Sequence, residues 1–140
     1  MAITQAMCTS FKEDLFQKEQ DLDSDTIRIA LYTSSANLDA TTTAYTATGE
    51  VADGNGYTTT GEVLTNPVIG TSGTTAYVDF DNPEWASASF TTAGALIYND
   101  TTAGNNAIAV LNFGGDFTVT SGTFRIVFPT PGAAGLIRID

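Results

Sequence analysis

The sequence predicts a mainly β protein: an antiparallel two-sheet β-sandwich, jelly-roll-like in its winding, with one N-terminal amphipathic α-helix. Three observations predict it. Residues 90–129 hold three apolar runs of strand length, separated by Gly, Asn, Asp and Thr, in the manner of a β-meander. Further short apolar runs recur from residue 26 to the C-terminus with turn residues between them, the spacing of a sandwich or, as the alternative architecture, a closed barrel. Before residue 20 the pattern is different: residues 3–20 contain no Gly or Pro and carry Gln, Lys and Glu.

Taken in order, Ile3, Met7, Phe11 and Leu15 stand four residues apart, with Cys8 and Phe16 beside them, and form one apolar stripe on a helix. Residues 1–20 are therefore expected to be a helix that caps the β domain of residues 21–140 or docks on a neighbouring subunit. Ile27, Ile29 and Leu31 alternate with Arg28, Ala30 and Tyr32, as in a half-buried strand. Residues 34–56 then exceed the ~15 residues at which a structureless connection is ordinary. They end in Asp53-Gly54-Asn55-Gly56, a turn sequence. This loop, with Tyr45 and Asn55, is the first choice for a contact between subunits or with a receptor. Further strands are expected at 57–65, 75–80, 86–91, 95–99, 107–113, 117–120, 123–128 and 136–139.

With 140 residues the chain suits one domain with a real core. Its formal charge is −11, from sixteen acidic and five basic residues, and the five bases are scattered, so neither nucleic acid nor an anionic membrane is an expected partner. The first ten residues lack the basic and apolar regions of a secretory signal, and no apolar run approaches the roughly 20 residues of a membrane helix.

Chemistry is poorly provided for. There is no histidine, and Cys8 stands alone, read as a small buried apolar residue. Asp21, Asp23 and Asp25 alternate like the opening of a calcium loop, but the positions that should hold Gly and Glu hold Thr26 and Tyr32. Asp79, Asp81 and Glu84 form a second acidic group around the Asn82-Pro83 turn, without a visible pocket. The many Ser and Thr residues have no evident activating base. Catalytic residues, cofactors and metals are accordingly not expected. Trp85, the single tryptophan, either closes the end of the core or stands exposed to stack on a sugar.

Phe90-Thr91-Thr92-Ala93-Gly94-Ala95-Leu96-Ile97-Tyr98-Asn99, the opening Ala2-Ile3-Thr4-Gln5-Ala6-Met7-Cys8-Thr9-Ser10-Phe11-Lys12, the strand Ile29-Ala30-Leu31-Tyr32-Thr33-Ser34 and the ending Ile137-Arg138-Ile139 together resemble a family of small virion structural proteins of tailed bacteriophages. The resemblance implies a capsid decoration, or cement, protein: a compact β domain on the outer head shell, bound to the major capsid protein or other virion proteins. It also implies a homo-oligomer, a trimer being favoured. No catalytic residues come with it. The alternatives are a tail or neck component and a carbohydrate-binding adhesin module centred on Trp85. The expected partner-binding residues are Ile3, Met7, Phe11, Leu15, Tyr45, Asn55 and Trp85.

Overall fold

A computed structural model describes residues 2–140. The chain is mainly β, with two antiparallel sheets and one short helix. In chain order the elements are β1 (Ala6–Met7), α1 (Thr9–Phe16), β2 (Ile27–Tyr32), β3 (Glu62–Val63), β4 (Val68–Ser72), β5 (Thr75–Asp79), β6 (Glu84–Asn99), β7 (Ala107–Arg125) and β8 (Ile137–Ile139). The larger sheet has the order β1-β7-β6-β2-β3 and the smaller β4-β5-β8. This order provides two sheets of five and three strands without adding a jelly-roll winding.

The expected helix over residues 1–20 is shorter and begins later. The N–H groups of Thr4, Cys8 and Thr9 donate outward, to the carbonyls of Leu38, Ile108 and Ala40, instead of closing helical turns. Fourfold apolar spacing suits a strand followed by a helix as well as it suits one helix, and pairing with β7 decides the matter. The helix ends where Lys18 takes a left-handed φ of +59°. There the Glu19 N–H reaches the Asp14 carbonyl and the Lys18 N–H that of Leu15, a Schellman closure built without glycine.

Pairing of β2 with β6 runs unbroken from Ile27↔Asn99 to Tyr32↔Gly94. The half-buried alternation expected of β2 is replaced by burial on both faces: Ala30 and Tyr32 are as inaccessible as Ile29 and Leu31. Residues 34–56 cover the Tyr32 side of the sheet. They contribute Ala36, Leu38 and Val51 to the core. They are also fastened by backbone bonds: Val51 to Leu31, Tyr45 to Asn105 and, from the sheet, Ala107 to Thr43.

The three-run meander is a two-strand hairpin. Runs 86–91 and 95–99 belong to β6 alone, and the following three runs belong to β7 as far as Arg125. Gly114 and Gly115 do not turn the chain. Between the pairs Gly94↔Asn112 and Thr92↔Phe117 residues 113–116 bulge out of register, with Gly114 at a φ of +85°. Beyond this bulge β6 and β7 pair only with each other in sheet hydrogen bonding.

Of the remaining expected strands, 75–80 and 136–139 correspond to β5 and β8, whereas 57–65 shrinks to β3. β4 was not expected. Antiparallel pairing places Ile69, Val78 and Ile137 in one cross-strand row and Thr71, Ala76 and Ile139 in the next, so these six share one face of the small sheet.

Candidate functional site

Glu50 organises the loop of residues 34–56. Its carboxylate accepts the Tyr45 hydroxyl and the Tyr57 hydroxyl, both at 2.5 Å, and the Thr60 N–H at 2.9 Å. The Tyr57 oxygen in turn accepts the Leu31 N–H at 3.0 Å, which carries the network into β2. Tyr98 donates to the Thr60 carbonyl and Tyr32 to that of Thr46, and the rings of Tyr45 and Tyr98 lie 4.9 Å apart. Burial, reinforced by the Glu50 charge, pushes the hydroxyls of Tyr32, Tyr45 and Tyr57 far above their ordinary range. Burial likewise pushes Tyr98 up to about 12. Every donor in this cluster has an acceptor, so it binds loop to sheet. Sequence reasoning missed Glu50, an ordinary acidic residue in a polar stretch.

The sequence-predicted partner residues are dispersed. Ile3 bridges to Leu38 and packs over Gly94, while Met7 pairs with Ala109. Phe11 is buried, and Ile3, Met7 and Leu15 are partly buried against the core. The apolar stripe thus faces inward, and Phe16, 93% exposed, is the large apolar side chain that α1 presents outward. Tyr45 is held by Glu50, and the Asn55 carbonyl accepts the Ser89 N–H at 2.9 Å, docking the turn on β6.

Trp85 is 1% exposed, against Phe124 with ring centroids 5.9 Å apart, and its indole N–H has no partner among the described residues. The surface platform expected of a sugar-binding tryptophan is therefore not where this residue lies. It faces inward because Trp85 and Phe124 are cross-strand partners on the core side of the hairpin.

The acidic groups also separate. Asp79 is buried and accepts the N–H groups of Phe80 and Leu136, at 2.9 and 3.3 Å. Asp81 accepts the Asn66 amide, and Glu84 pairs with Arg125 at 3.1 Å. Asp21 accepts the N–H groups of Asp23 and Ser24. Asp25 accepts the Asp21 N–H at 3.0 Å and the Asn99 amide at 2.7 Å. Among the described residues no group of three or more His, Cys, Asp or Glu is placed to hold a metal ion. Burial, followed by the nearby Asp39 charge, pushes the Cys8 thiol up to about 11. No helix of the described residues is long and apolar enough to cross a membrane.

Between α1 and the small sheet lies an open groove of about 530 Å³. Phe11, Leu15 and Leu22 wall one side, and Val78, Ile137 and the half-exposed Ile69 and Ile139 the other. Lys18, Glu19, Asp21 and Asp25 stand on its lining as well. Two sequence-predicted residues, Phe11 and Leu15, therefore meet here. In the small-sheet wall β5 and β8 were expected as strands, whereas β4 and the pairing that brings Ile69 beside them were not.

Comparison with protein-family models, with curated proteins and with solved structures gives no match.

Proposed function

We propose that this chain is a bacteriophage virion structural protein, a decoration protein that binds the outer head shell and stiffens it against packaged DNA. It acts as a homo-oligomer, with the major capsid protein as its partner. The observation that carries the reading is the fastening of residues 34–56. A long polar loop is tied at Thr43, Val51 and Asn55 to β7, β2 and β6 and at Tyr45 to the β6–β7 connection, so the surface it offers is preformed and needs little ordering on binding. The resemblance of the opening, β2, β6 and the C-terminal strand to small phage virion proteins supports the same reading, and the net charge of −11 suits a face turned away from DNA. On α1, Phe16 is the natural anchor for a shell contact.

A tail or neck component is the second reading, favoured by one observation: among the described residues the outer edge of β7 beyond Asn112 has no strand beside it and could pair with a neighbour around a ring. Locating the labelled chain on virions by cryo-microscopy separates the two. Density over the head shell, and loss of heat resistance when the chain is stripped from purified shells, is expected. Density confined to the tail would refute the decoration reading.

A further inference from the structure

Two apolar surfaces of unlike charge lie against β8. The first is the groove beside α1, into which Ile137 and Ile139 face; its lining carries Glu19, Asp21 and Asp25 against the single base Lys18. Asp21 is held below the usual carboxylate range, first by its bond with the Ser24 hydroxyl. The second surface comprises two adjoining shallow grooves, in which Arg138 of the same strand and the preceding Leu136 meet Phe113, Ile126 and Val127, and Phe117 and Arg125 continue the apolar patch. Val127 is 71% and Phe117 52% exposed. Among the described residues no carboxylate lines this second surface, whereas two of the chain's five basic residues do. Arg125 shares its charge with Glu84, and Asp116 sits in the neighbouring bulge, but Arg138 meets only the Ala133 carbonyl.

We infer that the occupant of the acidic-rimmed groove is a second copy of this chain, which presents its Val127 and Arg138 surface head to tail. Charge complementarity selects this arrangement. Like-to-like contact would set three acids against three acids on one surface, or arginine against arginine on the other, in a molecule already at −11. Unlike-to-unlike contact covers Ile69, Ile139, Val127 and Phe117 together, four of the large apolar side chains left most exposed. A heterologous contact leaves one free surface of each kind at the two ends, so it closes into a ring when the rotation between copies permits. The inference deepens the oligomeric part of the proposed function and is independent of any shell.

The test uses the isolated full chain in sedimentation velocity over a concentration series, at low and high salt. The wild-type chain is expected to self-associate, and more weakly as salt screens the arginine and carboxylate charges. Val127→Asp and Ile69→Asp, both at exposed positions, should each weaken association about tenfold or more. Mixed together they should restore a dimer, because one retains an intact acidic-rimmed groove and the other an intact Val127 and Arg138 surface. Arg138→Glu supplies an independent loss should either of those variants fail to fold by circular dichroism. A wild-type chain that stays monomeric throughout overturns the inference, as does a mixture that associates no better than its components. Neither result bears on where the chain sits in a virion.

Discussion

The Tyr57 hydroxyl donates to Glu50 at 2.5 Å while accepting the Leu31 N–H at 3.0 Å, so a single side chain joins the long loop to the buried strand β2. Removing either end leaves a group inside the protein without its partner. Tyr57→Phe strands the Leu31 N–H and leaves Glu50 Oε2 with the Thr60 N–H alone, and Glu50→Gln can no longer accept both tyrosines. Each should lose about 1–3 kcal/mol in chemical denaturation. The double variant should lose clearly less than the sum, since the two act through one bond.

The same cluster sets the response to base. An unfolded tyrosine titrates near 10. Tyr98 is raised to about 12 in the folded chain, and Tyr32, Tyr45 and Tyr57 are raised as well. The folded chain therefore holds these protons more tightly than the unfolded one. This contribution is fully present below about pH 10 and is lost as pH rises from there through the folded-state values. Tyrosinate absorbance should appear together with the loss of near-ultraviolet circular dichroism, and a free titration of all the tyrosines before unfolding would contradict it.

Thr60 carries a φ of +85°, a conformation that a β-branched residue adopts only under constraint, here from its N–H on Glu50 and its carbonyl on Tyr98. Thr60→Gly should stabilise the protein by roughly 0.5–1 kcal/mol by relieving that strain. The adjacent Gly61 behaves in the opposite sense. A Cβ there would lie 1.9 Å from the Ile29 carbonyl oxygen at a φ of +82°, so Gly61→Ala should cost about 2–4 kcal/mol, read from the shift in denaturation midpoint.

Trp85 fills the end of the core, yet its indole N–H is unpartnered. Trp85→Ala should cost about 3–5 kcal/mol. Trp85→Phe should cost markedly less, because it keeps the ring contact with Phe124 and deletes the orphan donor. As the single tryptophan, Trp85 should emit at the short wavelengths of a dry environment until the chain unfolds.

The β class was legible because strand-length apolar runs and turn residues state their period directly, and the runs around Ile29, Ile97 and Val110 all fell in the core. What misled were residues whose local signal has two solutions. Gly114-Gly115 makes a turn or a bulge, and only the pairing of Thr92 with Phe117 selects the bulge. Ile3 and Met7 fit a helical stripe or a paired strand, and the Ile108 and Leu38 carbonyls select the strand. The groove was half legible: Phe11 and Leu15 came from the stripe, whereas Ile69 and Ile139 meet only through the antiparallel partners Val78 and Ala76 of β5. The strands 75–80 and 136–139 were legible, but β4 was not, and nothing local in any of the three states which strands pair.

Phe16 separates folding from binding on α1. Its neighbour Phe11 is 2% exposed in the core, so Phe11→Ala should cost about 3–5 kcal/mol and compromise every property of the protein together. Phe16, at 93% exposure, has little to lose, and Phe16→Ser should change stability by no more than about 0.5 kcal/mol. If α1 anchors the chain to a capsid shell through this ring, the Phe16→Ser protein should melt like the wild type, self-associate like the wild type and yet co-sediment poorly with purified shells. Co-sedimentation equal to wild type would remove Phe16 from the shell contact and direct attention to the exposed tips of the loop around Asp53 and Asn55, where Asp53→Ala and Asn55→Ala would repeat the measurement.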